Sequence, residues 1–146
     1  MKRQLIAILF ISVFSGNVLA DNEECVEKEL NDENIDSIAQ SLSVKAEEKH
    51  LSKFKKGTPI KGKKMPWTLK DKQSLQEFFD DILRKKQKAS RDDKFALEVI
   101  SEEITKDRVK FWESKTGTLI IYNPKDGDCG TAHRPTDGKD DYEKAS

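Results

Sequence analysis

This sequence of 146 residues has no excess of charge of either sign and little hydrophobic character. Lys and Arg together number 27, and so do Asp and Glu, so the formal net charge is zero. Hydrophobic residues make up 35% of the chain, and the mean hydropathy is −0.77. The zero balance excludes a protein that coats nucleic acid by uniform positive charge, and the hydropathy excludes a polytopic membrane protein. The length fits one domain with a small core.

Residues that bind metals or activate nucleophiles are also scarce. There are two cysteines and two histidines, with no CxxC and no Cys/His cluster that would indicate zinc. The sequence has no Gly-rich phosphate loop, no HExxH, no GxSxG and no carboxylate cluster spaced for a metal. These absences argue against nucleotide hydrolysis and metalloprotease chemistry, and we expect neither a metal nor a cofactor.

The longest apolar run lies at the N-terminus and predicts export. Lys2 and Arg3 precede an apolar stretch over residues 5–14, and small residues at 18 and 20 predict cleavage after Ala20. The alternative is a membrane anchor, but about ten apolar residues are too few for a bilayer core that needs about twenty. We therefore expect a secreted or periplasmic protein with a signal peptide at 1–20, a single domain at 21–146 and no stable membrane anchor after cleavage.

The two cysteines, Cys25 and Cys129, both belong to the exported part. In an oxidising compartment they are expected to form one disulfide, the alternative being two separate thiols. A loop of about 100 residues closed in this way gains about 4.7 kcal/mol in the chain-entropy account. Because Cys129 comes just before the last predicted strand, the bond would order that turn only after export.

Charge is strongly segregated along the exported part, whose net charge would be −2 once Lys2 and Arg3 leave. Residues 21–48 carry ten carboxylates and two lysines, whereas residues 49–72 carry nine lysines and one acid. Apolar side chains at helical spacing predict an acidic helical region over residues 21–56.

Glycines and prolines break the basic stretch, which predicts a loop over residues 57–73. This loop has two interpretations, a solvated linker or a phosphate-binding loop. In the second, Lys63 and Lys64 contact phosphate and Trp67 stacks on a base.

The remaining periodicities predict an α+β fold. Residues 74–88 have one continuous apolar face and predict a helix that Ser74 caps. Residues 94–135 alternate, which predicts strands near 94–100, 108–112, 118–122 and 130–135. We expect N-terminal helices packed on one face of a small antiparallel sheet of three to four strands, followed by a frayed polar tail.

Residues 109–138 contain an ordered set of turns and strand ends. Its parts are Phe111-Trp112, the Lys-Thr-Gly turn at 115–117, the strand at 118–122, Asn123-Pro124, Gly130-Thr131 and Arg134-Pro135. The set resembles the C-terminal hairpin of bacterial toxin ribonucleases of the barnase/EndoU/colicin/RelE-like fold, including toxin tips of contact-dependent inhibition proteins. The resemblance spans about thirty residues. It implies N-terminal helices and an antiparallel sheet whose concave face takes RNA.

Metal-free RNA cleavage needs a base, an acid and cations at the phosphate. His133 is the predicted acid/base, with Thr131 beside it on the same strand face and Arg134 at the phosphate if the strand ends there. The alternative is an exposed histidine at a polar strand end. A two-histidine mechanism is formally possible, but we interpret His50 as a solvated residue, or one that faces the helix dipole, near the end of the first helix. The second catalytic group is therefore left unassigned.

Lys110 and Tyr122 are the predicted substrate-binding residues of the sheet. Lys110 alternates with its apolar neighbours, and Tyr122 offers a ring for stacking on a base. Each has the alternative of an ordinary solvent-side strand residue.

Two functions from different classes fit these features. The first is an exported ribonuclease-like toxin that cleaves RNA, with tRNA among the candidates, and has an immunity protein as a possible partner. The second is a non-enzymatic periplasmic or secreted interaction protein with the same fold, whose acidic and basic regions form a binding surface or pair with each other.

Overall fold

The computed structural model describes residues 25, 29–86, 95, 97–98, 100–105 and 107–145. The predicted signal segment and residue 94, where the first strand was predicted to begin, lie outside them. The described chain is α+β, and no helix in it is long and apolar enough to cross a bilayer. Its elements are α1 (Ile35–His50), a 3-10 turn (Leu51–Phe54), β1 (Pro59–Ile60), β2 (Lys63–Lys64), α2 (Lys72–Leu83), β3 (Ile100–Ile104), β4 (Val109–Glu113), β5 (Thr118–Tyr122), β6 (Gly130–His133) and α3 (Lys139–Lys144).

The main sheet is an antiparallel meander in the order β3-β4-β5-β6. Phe111 pairs with Ile120 and Ile120 pairs with Ala132, and this row faces the core formed with α1 and α2. The next row, which contains Trp112 and Leu119, faces the opposite side. The predicted α+β fold with a four-stranded antiparallel sheet is confirmed.

The core between the sheet and the helices is built from the apolar stripes that the sequence predicted. The five apolar side chains of α2 are all buried, and Phe54 of the 3-10 turn packs edge-on against Phe78 and Phe79. Burying one such side chain contributes about 1.5–3 kcal/mol. These aromatic contacts fix α2 against α1 and leave the end of α1 next to β6.

The bounds of α2 differ from the predicted helix at 74–88. Asp71, not Ser74, is the N-cap: its carboxylate accepts from the Ser74 amide, and the Ser74 hydroxyl accepts from the Asp71 amide. This reciprocal pair is a capping box with serine in the third position. The helix ends at Leu83 because Lys85 takes a positive φ of 54°.

The strand predicted at 94–100 is also displaced. Phe95 and Leu97 are buried as expected, but the strand that joins the sheet is β3. Its sequence, Ile-Ser-Glu-Glu-Ile, lacks apolar alternation because β3 is the edge strand and three of its residues are exposed. An edge strand with one partner needs little apolar patterning.

The basic segment is more ordered than the predicted loop over 57–73. It contains the hairpin of β1 and β2, which turns at Gly62 with a φ of +75°. Ile60 of this hairpin is buried in a small second cluster with Trp112, Leu119 and Tyr142. The hairpin therefore covers part of the sheet face that α1 and α2 leave open.

The tail predicted to be frayed instead forms α3 on that same face. Tyr142 is buried against Trp112, and the buried ammonium of Lys110 lies below α3. The Lys110 Nζ donates to the carbonyls of Tyr142 and Ala145, each at 2.7 Å, and pairs with Glu103 at 3.1 Å. Because a buried cation needs such partners, Lys110 holds the last turn of α3 on the sheet.

Cys25 and Cys129 are disulfide-bonded, as the sequence predicted. The Cys25 amide also donates to the Pro124 carbonyl at 3.1 Å, which ties the start of the described chain to the turn before β6. At the end of that turn Gly130 has a φ of +121°, and a Cβ there would overlap the Ile121 carbonyl oxygen. The disulfide and Gly130 together set how β6 enters the sheet.

Replacing both cysteines, as Cys25→Ser/Cys129→Ser, should lower the free energy of unfolding by about 2–5 kcal/mol, because the unfolded chain loses a long closed loop. Urea unfolding of the oxidised protein and the double variant measures the loss. A reductant should destabilise the wild type and leave the double variant unaffected. An unchanged wild-type melting temperature under reductant would contradict the stabilising role.

Candidate active site

The end of α1 and the end of β6 bring the two histidines of the sequence together. The ring centroids of His50 and His133 are 5.4 Å apart, and their planes are inclined by 32°. Both side chains are half-buried. His50 is the last residue of α1, where the sequence predicted it, but it is half-buried and lies next to the predicted acid/base His133.

The sequence sets up this meeting through the apolar stripe of α1. Leu42 and Ala46 are buried, and His50 follows them at four-residue steps on the same side of the helix. Lys45 of α1 then fixes the approach of β6: its Nζ contacts the Gly130 carbonyl at 3.3 Å and Asp128 at 3.0 Å. His50 is thus the last residue of the buried face of α1, and this helix packs along β6.

Burial and neighbouring cations both act on the imidazoles. Burial lowers the pKa of His50, and Lys45, Lys49 and Lys53 lower it further. Burial also lowers the pKa of His133, with His50 and Lys45 acting in the same direction and Asp141 opposing them. A charge on His50 thus makes protonation of His133 less favourable.

Thr131 and His133 share one face of β6, as predicted from strand alternation. The buried Nδ1 of His133 has no hydrogen-bond partner among the described residues. An unpaired buried polar atom costs about 1–3 kcal/mol. The imidazole therefore holds a buried, unpaired nitrogen beside His50, at a cost in stability.

Arg134 does not take the predicted role at a phosphate. Its side chain is only 2% exposed, and its guanidinium donates to three backbone carbonyls: Thr116 at 2.6 Å, Lys53 at 2.6 Å and Thr58 at 2.9 Å. Burial without a carboxylate partner lowers the pKa of Arg134 to about 10. Its Nε and Nη1 make these bonds, whereas its buried Nη2 has no hydrogen-bond partner among the described residues. Because the side chain is directed at backbone carbonyls, Arg134 supports the site structurally.

Lys110 and Tyr122 are likewise buried, at 4% and 3% exposure, and do not line an open face. Lys110 is held by α3, as described above. Tyr122 belongs to the main core, so its ring is not available for stacking on a base. The prediction failed for both because α3 covers one sheet face and the two long helices cover the other.

The residues predicted from the basic segment are divided among different places. Lys63 lines a cleft of about 370 Å³ on the second sheet face. Lys64, its neighbour, is exposed and not part of that lining. Trp67 packs against Phe78 and Phe95 at centroid distances of 5.8 and 5.4 Å, so it belongs to the core edge.

The remaining lining residues of the cleft are Lys61, Lys139, Ser101, Ser114 and Trp112. The sequence interpretation missed Lys139 because it lies in the tail expected to be frayed. It also missed His50, although the four-residue steps from Leu42 and Ala46 carry the signal for its burial.

In the described part of the chain, no three His, Cys, Asp or Glu side chains come together as a set of metal ligands. Comparisons with protein-family models, with curated proteins and with solved structures found no match.

Arg134→Gln should lower the free energy of unfolding by about 3–5 kcal/mol, because three buried carbonyls lose a charged donor. Arg108→Gln is the control, since Arg108 is half-buried beside the same sheet, and should cost less than about 1 kcal/mol. Urea unfolding measures both. Equal losses would contradict the supporting role of Arg134.

Stability should fall as the pH drops below 6.5, the ordinary histidine pKa. The folded chain holds both histidine pKa values below that of the unfolded chain, so the unfolded chain binds more protons between the two and stability rises with pH there. Urea unfolding at pH 7.5 and 5.5 measures the difference. His50→Gln/His133→Gln should shrink it, and an identical pH difference in that variant would refute the assignment.

Proposed function

We propose that this protein is an exported, metal-independent endoribonuclease of the toxin type, with His50 and His133 as its acid/base pair. The observation that carries the proposal is the 5.4 Å separation of two half-buried imidazoles. Two such rings can reach the two oxygens that exchange protons on opposite sides of one phosphodiester. The resemblance of residues 109–138 to toxin ribonucleases points to the same chemistry.

The reaction is a transesterification within the RNA. One neutral imidazole accepts the proton of the 2′-hydroxyl as the 2′-oxygen forms a bond to phosphorus. The other imidazole, protonated, gives its proton to the 5′-oxygen as the bond from phosphorus to that oxygen breaks. The products are a 2′,3′-cyclic phosphate and a 5′-hydroxyl end, and each histidine finishes in the protonation state opposite to the one in which it began.

Such a pair works when it holds one proton. A charge on His50 lowers the pKa of His133, which disfavours the doubly protonated pair. Both pKa values lie below the ordinary value, so the pH optimum of cleavage is expected below 6.5.

The surroundings of the pair suit an anionic substrate. Lys49 and Lys53 lie close enough to His50 to lower its pKa, and Lys49 is exposed, whereas Lys45 is paired with Asp128. A positive potential of this kind attracts a phosphodiester and stabilises charge that develops on it. Thr131, on the face of His133, is positioned to hold a phosphate oxygen through its hydroxyl.

Export is part of the proposal because of two features of the chain. Residues 1–20 have the pattern of a secretory signal, and the Cys25–Cys129 disulfide is compatible with an extracellular or periplasmic location. A ribonuclease made in a bacterium endangers its producer, so a protein that inhibits it is the expected partner.

The alternative is a non-enzymatic interaction protein with this fold. It is favoured because three predicted site residues have structural roles. Arg134 and Lys110 donate hydrogen bonds to backbone carbonyls, and Tyr122 packs in the core. The basic hairpin also pairs its Lys61 with Asp140 and not with the acidic region. On this alternative the histidine pair would have no catalytic consequence.

The deciding experiment incubates the disulfide-intact protein with total tRNA and total RNA in EDTA at pH 5.0–7.5. We expect cleavage that leaves 2′,3′-cyclic phosphate ends. His50→Gln and His133→Gln should each lower the cleavage rate by about 10²-fold or more, since each removes one proton-transfer group.

Lys70→Gln is the matched control, because Lys70 is an exposed lysine of the basic segment that is not assigned to the histidine site. The cleavage rate of this variant should stay within about twofold of the wild-type rate. Melting temperatures of all variants establish that they fold. Absence of cleavage of any RNA would refute the enzyme, and cleavage indifferent to both histidine substitutions would place the active site elsewhere.

A further inference from the structure

The cleft on the second sheet face has a lining composed of donors. Three lysines and two serines surround the edge of a tryptophan, in a space of about 370 Å³: Lys61, Lys63, Lys139, Ser101, Ser114 and Trp112. The volume is that of a small-ligand site. No carboxylate is among these lining residues, which favours an anionic occupant.

The charges of the three lysines are not all neutralised nearby. Lys61 pairs with Asp140 at 2.6 Å, and Lys139 approaches Glu143 at 3.8 Å. Lys63 has no ion pair among the described residues, although its side chain is half-buried. Lys63 therefore lies on β2 with a positive charge that no described carboxylate neutralises.

The sheet register places this cleft beside the histidine pair. Trp112 pairs with Leu119, and Leu119 pairs with His133, so the floor of the cleft and His133 lie in one row on one face. At about 4.8 Å between neighbouring strands, their Cα atoms are about 10 Å apart. One phosphate group cannot reach across both places, but a strand of RNA can.

The first turn of α3 contributes to both places. Lys139 lines the cleft, and Asp141, two residues later, lies close enough to His133 to act on its charge. A bound strand would therefore pass the start of α3, with the reacting phosphodiester at the histidines and a neighbouring phosphate in the cleft.

We propose that this cleft is a subsite for a phosphate of the RNA that flanks the scissile one, held by Lys63 and Lys139 with the Ser101 and Ser114 hydroxyls. The subsite rests on the proposed function for its substrate. It makes the protein prefer an RNA with phosphates beyond the cleaved bond over a dinucleoside monophosphate. A larger space of about 650 Å³ beside Lys45 is a poorer phosphate site, because Glu48, Asp126 and Asp128 line it.

The test compares the wild type with Lys63→Gln/Lys139→Gln. The control is Lys56→Gln/Lys70→Gln, which removes the same charge from exposed lysines outside the cleft lining. Cleavage of a dinucleoside monophosphate should be equal in all three proteins. For an oligoribonucleotide around the same cleaved step, the KM of the cleft variant should rise about tenfold or more, as for lost charge-assisted phosphate contacts.

A second measurement does not depend on catalysis. Binding of a non-cleavable 2′-deoxy oligonucleotide is followed by Trp112 fluorescence in a Trp67→Phe background, as a function of salt. The slope of log affinity against log salt should shrink by about 0.7 in the cleft variant, because one phosphate contact on a single strand contributes about 0.7, and should change less in the control.

Equal effects in the cleft and control variants, or no binding by the wild type, would overturn the subsite. Inorganic phosphate is titrated in parallel. If it binds with the same dependence on the two lysines but the oligonucleotide does not, the cleft takes a free anion and the subsite is also overturned. If no RNA is cleaved while oligonucleotide binding depends on the cleft lysines, the proposed ribonuclease fails and the phosphate site stands.

Discussion

A single buried guanidinium joins the parts of the chain on which this fold and its candidate site depend. Arg134 follows β6 directly and donates to carbonyls from the 3-10 turn, from the residue before β1 and from the turn between β4 and β5. The Thr58 carbonyl also accepts from the Met65 amide at 3.1 Å. The cation therefore joins these three segments at the cost of its own desolvation.

The same interaction explains why the site can be half-buried. The Thr116 carbonyl that accepts from Arg134 belongs to the turn between β4 and β5. Glu113 stabilises this turn, because its carboxylate accepts from the amides of Lys115 and Thr116 at 2.8 Å each. Arg134 then connects this turn to the end of α1. His133, the residue before Arg134, is consequently held against His50 by backbone that cannot shift without breaking charged hydrogen bonds.

Much of the fold could be predicted from the sequence because its signals are local. The apolar face of α2, the strands around Phe111 and Ile120, and the pairing of Cys25 with Cys129 follow from spacing and compartment. Three features could not be predicted. β3 is an edge strand with weak apolar alternation, α3 depends on the buried Lys110, and the role of Arg134 depends on which carbonyls fold around it.

Only the β6 residues of the candidate site could be predicted from the sequence. His133 and Thr131 share a face because strand geometry is local, and this side was predicted. His50 became a partner through packing of α1 along β6, which is a tertiary contact across more than eighty residues. Lys110 and Tyr122 show the converse error: alternation identifies the two faces of a strand but does not say which face another element will cover.

The disulfide makes most of this protein a covalent ring. With a sequence separation of 104 between its cysteines, the ring encloses α1, α2, both strands of the small hairpin and β3 to β5. Among the described elements, β6 and α3 follow it. An oxidised chain therefore cannot be threaded through a narrow pore as a single strand, since the ring would enter as a doubled loop. Pulling on its end would detach His133 and its neighbours first, while the ring that holds His50 stayed closed.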